Sequence, residues 1–258
     1  MKVAVVTGAS SGIGLECAKI ISEKKLFCID KIYLLARRKE LLENLASCLN
    51  IDSEIVVCDV SKDDDIERFS QILQNEEPQI MLLVNSAGFG KNGDFSDISQ
   101  KDNLSMIDVN CRGLAAATQI CLKFMTGGSK ILNISSVAGF APLARFSVYG
   151  ASKAFVTSFS VALSVELEKK KISVTICAPG SVDTDFHKIA RNGSGIVKKL
   201  YSKKAPVEKV ARIALEDTAK GKLFSSFGFG AKFARIFGGI VPKKQFAKFS
   251  YNNVYAAE

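Results

Sequence analysis

Apolar residues cluster in short dense runs at Val3 to Val6, Lys31 to Ala36, Glu54 to Cys58, Ile80 to Asn85, Lys130 to Ser135 and Ile172 to Cys177, none with strict alternation. A strand with water on one face alternates, whereas one covered on both faces has no need to, so these runs predict a parallel sheet buried between layers. Between them the apolar spacing becomes helical, near residues 12–24, 39–49, 63–74, 101–125 and 150–169. Strand and helix therefore alternate along the chain, which predicts a doubly wound α/β fold of six to seven parallel strands with helices on both faces. A further helix is expected near 206–219. A short run at 222–227 is the candidate seventh strand, weakened by two serines and Gly228. No long linker or internal repeat interrupts the pattern, so residues 1–258 read as one domain, with a distinct terminal segment over 222–258.

Composition narrows this picture. Of 258 residues, 47% are hydrophobic and 24% charged, a globular balance that excludes disordered and collagen-like chains. The longest uncharged stretch, Ile131 to Ala144, has 14 residues, short of the roughly 18 needed to span a bilayer as a helix. The apolar run near the start stops at Val6, too short for a signal-peptide core of about 7 to 15 residues, and the expected location is the cytoplasm. Seven cysteines, an odd number with no Cys-x-x-Cys pair, read as buried reduced thiols. His187 is the only histidine, so no metal site is expected.

Candidate chemistry begins after the first strand, at Thr7-Gly8-Ala9-Ser10-Ser11-Gly12-Ile13-Gly14, with an amphipathic helix following at once. Glycines let the main chain turn with positive φ and approach an anion closely, and the helix start presents free N–H groups and the positive end of its dipole. The turn therefore predicts a phosphate site. Its Gly-x-x-x-Gly-x-Gly spacing matches the commonest dinucleotide fingerprint only in part. In that fingerprint an acidic residue at the end of the second strand holds a ribose, but here the strand ends Leu35-Ala36-Arg37-Arg38. Asp30 lies at the strand's other end. A guanidinium holds a 2′-phosphate bidentately, so Arg37 and Arg38 predict NADP(H) over NAD(H).

A second constellation opens the helix expected near residue 150. Tyr149-Gly150-Ala151-Ser152-Lys153 puts a phenol and an ammonium four residues apart on one helical face, and the ammonium favours the phenolate, giving an acid and base usable near neutral pH. Ser136 stands 13 residues earlier, just past the fifth strand, where its hydroxyl can polarise a carbonyl.

Together these residues resemble the short-chain dehydrogenase/reductase family, whose pattern joins Thr-Gly-x-x-x-Gly-x-Gly, Asn-Asn-Ala-Gly, a serine and Tyr-x-x-x-Lys on a Rossmann-type sheet. The likeness spans residues 1 to about 190. It includes Asn85-Ser86-Ala87-Gly88 after the fourth strand, with Ser86 where the family often has a second asparagine. Asp59-Val60 follow the third strand, Asn110 lies in the helix near 101–125, and Pro179-Gly180-Ser181-Val182-Asp183-Thr184 follow the sixth strand. The resemblance implies that Tyr149 protonates the carbonyl oxygen as hydride arrives. It implies that Lys153 lowers the phenol's pKa and holds the nicotinamide ribose, Ser136 orients substrate, and Asn110 anchors a proton-relaying water. It also implies that Asp59 and Val60 meet the adenine, that Asn85, Ala87 and Gly88 shape the central crevice, and that Pro179, Gly180, Val182 and Thr184 border the nicotinamide. A homo-oligomer is expected on the same ground.

Phe89, Phe140, Pro142, Leu143, Phe146 and Phe186 suggest a pocket for an apolar ketone, aldehyde or secondary alcohol. His187 could touch substrate but is not read as catalytic, since a lone loop histidine is more often solvent-facing, and Arg145 is equally ambiguous. Net charge changes the picture only at the end of the chain. Residues 1–197 are neutral, with 22 basic and 22 acidic side chains, and the whole +9 excess lies in residues 198–258. Seven of the 17 phenylalanines fall there too, and Phe229, Phe233, Ile236, Phe237 and Ile240 repeat at helical spacing. This amphipathic cationic segment reads either as an ordinary terminal helix packed by its Phe face with a solvated basic face, or as one placed over the active site, between subunits, or in peripheral contact with an anionic membrane. No nucleic-acid recognition module is present, and none is expected to bind. The reading is an NADP(H)-dependent carbonyl reductase or alcohol dehydrogenase. Its rivals are a nucleotide-sensing or scaffolding protein with a membrane- or partner-binding basic tail, and a sugar-nucleotide epimerase or dehydratase, disfavoured by the glycine spacing and the lack of a separate substrate domain.

Overall fold

The computed structural model describes residues 1–23, 26–186, 190, 204–228 and 241–254. Among these residues seven strands form one sheet in the order β3-β2-β1-β4-β5-β6-β7, every neighbouring pair parallel: β1 (Lys2–Thr7), β2 (Lys31–Ala36), β3 (Asp52–Val57), β4 (Gln79–Asn85), β5 (Lys130–Ile134), β6 (Ser173–Cys177) and β7 (Phe224–Ser225). The absence of alternation has its expected cause. Val3, Ala4, Val5 and Val6 are all fully buried, but successive side chains enter different cores. Ala4 and Val6 face the layer holding α1 (Gly12–Glu23) and α2 (Lys39–Ala46), and Val3 and Val5 face the layer of α3 (Asp63–Glu76). Removing one such side chain from water contributes about 1.5–3 kcal/mol, so both faces hold the sheet in place. The seventh strand is only two residues long, pairing Ile176 with Phe224 and Cys177 with Ser225.

The strand order reverses between β1 and β4, and the carboxyl ends on either side of this switch point open a crevice, the place where sheets of this kind bind ligands. Asp30 lies at the opposite edge, where its carboxylate accepts from Lys2 N at 2.8 Å.

One expectation is corrected in the middle of the chain. The helix predicted over 101–125 is α4 (Gln100–Ile107), a π-helical turn (Asp108–Gly113) and α5 (Leu114–Leu122). Two packing demands meet in that turn. A Cβ on Gly113 would lie 2.7 Å from Val60 Cγ2, and the Asn110 amide is drawn to the main chain of Phe89. Helix α6 (Ser147–Glu166) begins three residues before the expected start, so Tyr149 stands in its first turn. It is long and apolar enough to cross a membrane by length and composition, but its buried face, including Lys153, packs inside the protein. Helix α7 (Val207–Ala219) follows the expected range, and α8 (Lys243–Val254) closes the described chain. The cationic helix expected over 229–240 lies outside the described residues, as does His187. The cysteines are all free thiols, but Cys28 and Cys48 are exposed rather than buried, since both lie in connecting segments.

Candidate active site

The glycine turn shapes the crevice floor. Gly8 has φ +69°, and a Cβ there would meet Ala87 N at 2.7 Å; a Cβ on Gly14 would meet Gly8 O at 2.5 Å. Only glycine lets the first turn, the start of α1 and the end of β4 approach so closely. Thr7 ties them further: its buried hydroxyl accepts from Ser86 N (3.1 Å) and Ala87 N (3.2 Å).

Over this floor lies one cavity of about 1120 Å³, somewhat larger than ordinary ligand pockets of about 300–1,000 Å³. Its wall includes Gly8, Ser10, Ser11, Gly12 and Ile13 from the turn, Arg37 and Arg38 after β2, and Asp59 and Val60 after β3. Ala87 and Gly88 follow β4 on the same wall, and Pro179, Gly180, Val182 and Thr184 follow β6. Ser136, Tyr149 and Lys153 complete it. Four expected site residues, Thr7, Gly14, Asn85 and Asn110, are not on the wall. They stand behind it and position what is. Asn85 donates to Thr118 Oγ1 (2.9 Å) and Asn133 Oδ1 (2.8 Å), while Asn110 Oδ1 accepts from Phe89 N (3.0 Å) and its Nδ2 donates to Phe89 O and Ser152 Oγ, both at 2.9 Å.

The arginines occupy different positions. Arg38 folds over the turn, Nη2 donating to Ser10 Oγ and Ser11 Oγ at 2.9 Å each. Arg37 reaches Asp59 Oδ2 at 3.7 Å. Burial alone would raise the Asp59 carboxyl, but hydrogen bonds from Ser61 and the nearby Arg37 charge outweigh it and hold the pKa below its usual value.

At the other end, the Tyr149 ring lies between Phe146 (centroids 5.7 Å apart) and Phe186 (5.2 Å). Gly90, overlooked in the sequence, makes this possible: a Cβ there would sit 2.7 Å from Tyr149 Cδ2 and 2.8 Å from Phe186 Cζ. Lys153 Nζ donates to Ile134 O at 2.8 Å and lies 5.8 Å from the centre of the Tyr149 ring. Burial pulls its pKa down to about 8. Ser136 caps the short turn Val137–Gly139, its Oγ accepting from Ala138 N at 3.2 Å, which leaves its proton to donate elsewhere. A phenol, an ammonium and a hydroxyl on one largely water-shielded wall can polarise a carbonyl oxygen and protonate it.

The apolar lining differs from expectation. Phe89, Leu143, Phe146 and Phe186 line the cavity, but Phe140 and Pro142 do not, because Phe140 turns onto Phe224 (6.2 Å between centroids). Phe227 and Phe246, from the terminal segment, line it instead. Only the crowding of phenylalanines in that segment hinted at them.

The sequence matches a family model described as short chain dehydrogenase over residues 2–194. An uncharacterised oxidoreductase of Staphylococcus epidermidis is 36% identical over 185 residues, covering 71% of this chain and 79% of that protein. Among solved structures, a short-chain dehydrogenase from Streptomyces avermitilis superposes with a TM-score of 0.77 at 26% identity, covering 99% of this chain and 97% of that one. A short-chain dehydrogenase from Sphingobium yanoikuyae in complex with NADPH superposes with a TM-score of 0.75 at 26% identity, covering 100% and 99%.

Proposed function

Since this chain belongs to the short-chain dehydrogenase family and is an oxidoreductase, we propose that it is an NADPH-dependent reductase of apolar ketones or aldehydes, reversible as a secondary-alcohol dehydrogenase. The observation that carries this reading is a single cavity walled at one end by the glycine turn and two arginines, and at the other by Ser136, Tyr149 and Lys153. A dinucleotide fits these residues: the turn is closed to side chains at Gly8 and Gly14, as a main-chain phosphate cradle requires, and the cavity is large enough for cofactor and substrate together. Gly8, Ser10, Ser11, Gly12 and Ile13 would hold the phosphates, Arg37 and Arg38 a 2′-phosphate, Asp59 and Val60 the adenine, and Lys153, Pro179 and Thr184 the nicotinamide end. The nicotinamide, when bound, supplies the hydride in reduction and accepts it in oxidation.

The chain's own groups handle the proton. Ser136 donates its free O–H to the substrate oxygen, polarising the C=O bond. Tyr149 gives its phenolic proton to that oxygen as negative charge develops there, and the Lys153 ammonium stabilises the phenolate left behind. Asn110 keeps Phe89 and the Gly88 main chain in place beside Lys153. Phe146 and Phe186 keep water from the phenol. The scaffolding alternative gives Ser136 and the Tyr149 phenol, both on the cavity wall beside Lys153, no reaction to serve.

A homo-oligomer also suits the surface. Leu104 and Ile107 on α4 and Val165 on α6, helices that pack on each other, are 53%, 46% and 62% exposed. Tyr149→Phe tests the reaction. Following NADPH oxidation with a panel of aliphatic and aromatic ketones, the variant should lose at least about 100-fold in kcat while retaining NADPH affinity. Substantial residual turnover would remove the phenol from its role.

A further inference from the structure

Helix α8 lies beyond residue 194, where the family match ends, yet it contributes to the cavity wall. It packs against the loop leading into α6. Ala144 N donates to Ser250 Oγ at 3.3 Å, and one residue on, the Arg145 guanidinium lies 5.7 Å from the centre of the Tyr251 ring. Arg145 is itself fastened. It holds Asp94 through Nε (3.2 Å) and Nη2 (3.0 Å), and its carbonyl accepts from Gly93 N at 3.0 Å, with the residue in the left-handed region at φ +61°. One arginine thus joins the loop after β4, the loop before α6, and α8.

Phe246 lies one helical turn before Ser250, on the same face, and is half-buried. The loop that Ser250 and Tyr251 grip carries Leu143 and Phe146, which share the cavity wall with Phe246, and Phe146 packs on Tyr149. Phe246 therefore closes the tyrosine end of the cavity rather than the phosphate end.

We infer that α8 is the specificity wall of the substrate pocket, with Phe246 setting the largest apolar ketone accepted and Arg145 acting as the positioning residue that holds the wall in place. This rests on the carbonyl-reductase reading and adds to it a residue that limits substrate size. Truncating Phe246 enlarges the pocket where the carbonyl compound lies, so bulky ketones gain relative to small ones. Losing the Arg145 latch moves the same wall indirectly.

The test uses the full chain, NADPH and a series of methyl ketones and aryl ketones of increasing size. Phe246→Ala should raise the kcat/KM ratio of the largest to the smallest ketone by about tenfold or more. Arg145→Ala should shift it in the same direction, chiefly through KM, with Arg145→Lys partly restoring the native profile. Size profiles of Phe246→Ala and the native enzyme that superimpose would overturn the inference and leave the carbonyl-reductase reading standing. If the native chain reduces no ketone, that reading falls, and a second measurement decides the wall by itself. The sequence contains no tryptophan, so Phe246→Trp and Phe249→Trp each carry a single reporter, the second at a position 62% exposed. Acrylamide should quench the reporter at 246 much less than the one at 249; equal quenching would overturn the wall.

Discussion

At the scale of single residues, the site depends on charges held where water would not place them. Lys153 is buried, and burial costs its ammonium enough to lower the pKa from 10.5 to about 8. The sign follows from proton linkage: between pH 8 and 10.5 the unfolded chain binds a proton at this lysine that the folded chain does not, so raising the pH through that window stabilises the cofactor-free fold. The shift corresponds to about 3 kcal/mol. In urea titrations across that window, the native protein should gain about that much relative to Lys153→Met; a stability difference independent of pH would contradict it. Below pH 8 the residue is the ammonium that the chemistry needs. Arg38, seated on Ser10 and Ser11, and Arg37, near Asp59, make a second prediction. A charge-assisted bond to phosphate contributes about 1.5–3 kcal/mol, so Arg37→Ala and Arg38→Ala should each weaken NADPH binding about 10- to 150-fold and leave NADH binding little changed. Equal losses for both cofactors in a fluorescence titration would end the assignment of 2′-phosphate recognition.

At the scale of elements, the reactive groups are placed by a polar ladder under the crevice. Asn85 at the end of β4 donates to Thr118 of α5 and to Asn133 of β5, and Asn133 donates to Ser160 of α6 at 2.8 Å, all buried. Four elements are thereby fixed in register just behind Lys153, two helical turns before Ser160. Asn133→Leu keeps the branched skeleton, with somewhat more bulk, but leaves the Asn85 amide short of a partner, which costs about 1–3 kcal/mol. Its denaturation midpoint at fixed pH should fall accordingly, and an unchanged midpoint would show that the ladder does not brace the site. The π-helical turn belongs to the same layer: it aims Asn110 at Phe89 and Ser152, a geometry that a continuous α-helix over 101–125 would not produce.

Across the whole molecule, the phosphate and reaction ends meet because the strand order reverses between β1 and β4. The excess positive charge collects at the far end of the chain, where Lys204 and Lys222 find Asp183 and Asp217 while Lys243, Lys244 and Lys248 stay exposed on α8. Strand positions, the glycine turn, the Tyr149 and Lys153 pair and the arginine end of β2 were all readable in advance. Each depends on spacing within a few residues, where the pitch of a helix or the pleat of a strand dictates which side chains share a face. Gly90 beneath Tyr149, Arg145 across Asp94, Phe140 turned toward Phe224 and Phe246 on the cavity wall followed no such rule. Their partners stand tens of residues away or more, and only the packing of the finished layers chooses among the many apolar contacts that a phenylalanine-rich chain allows.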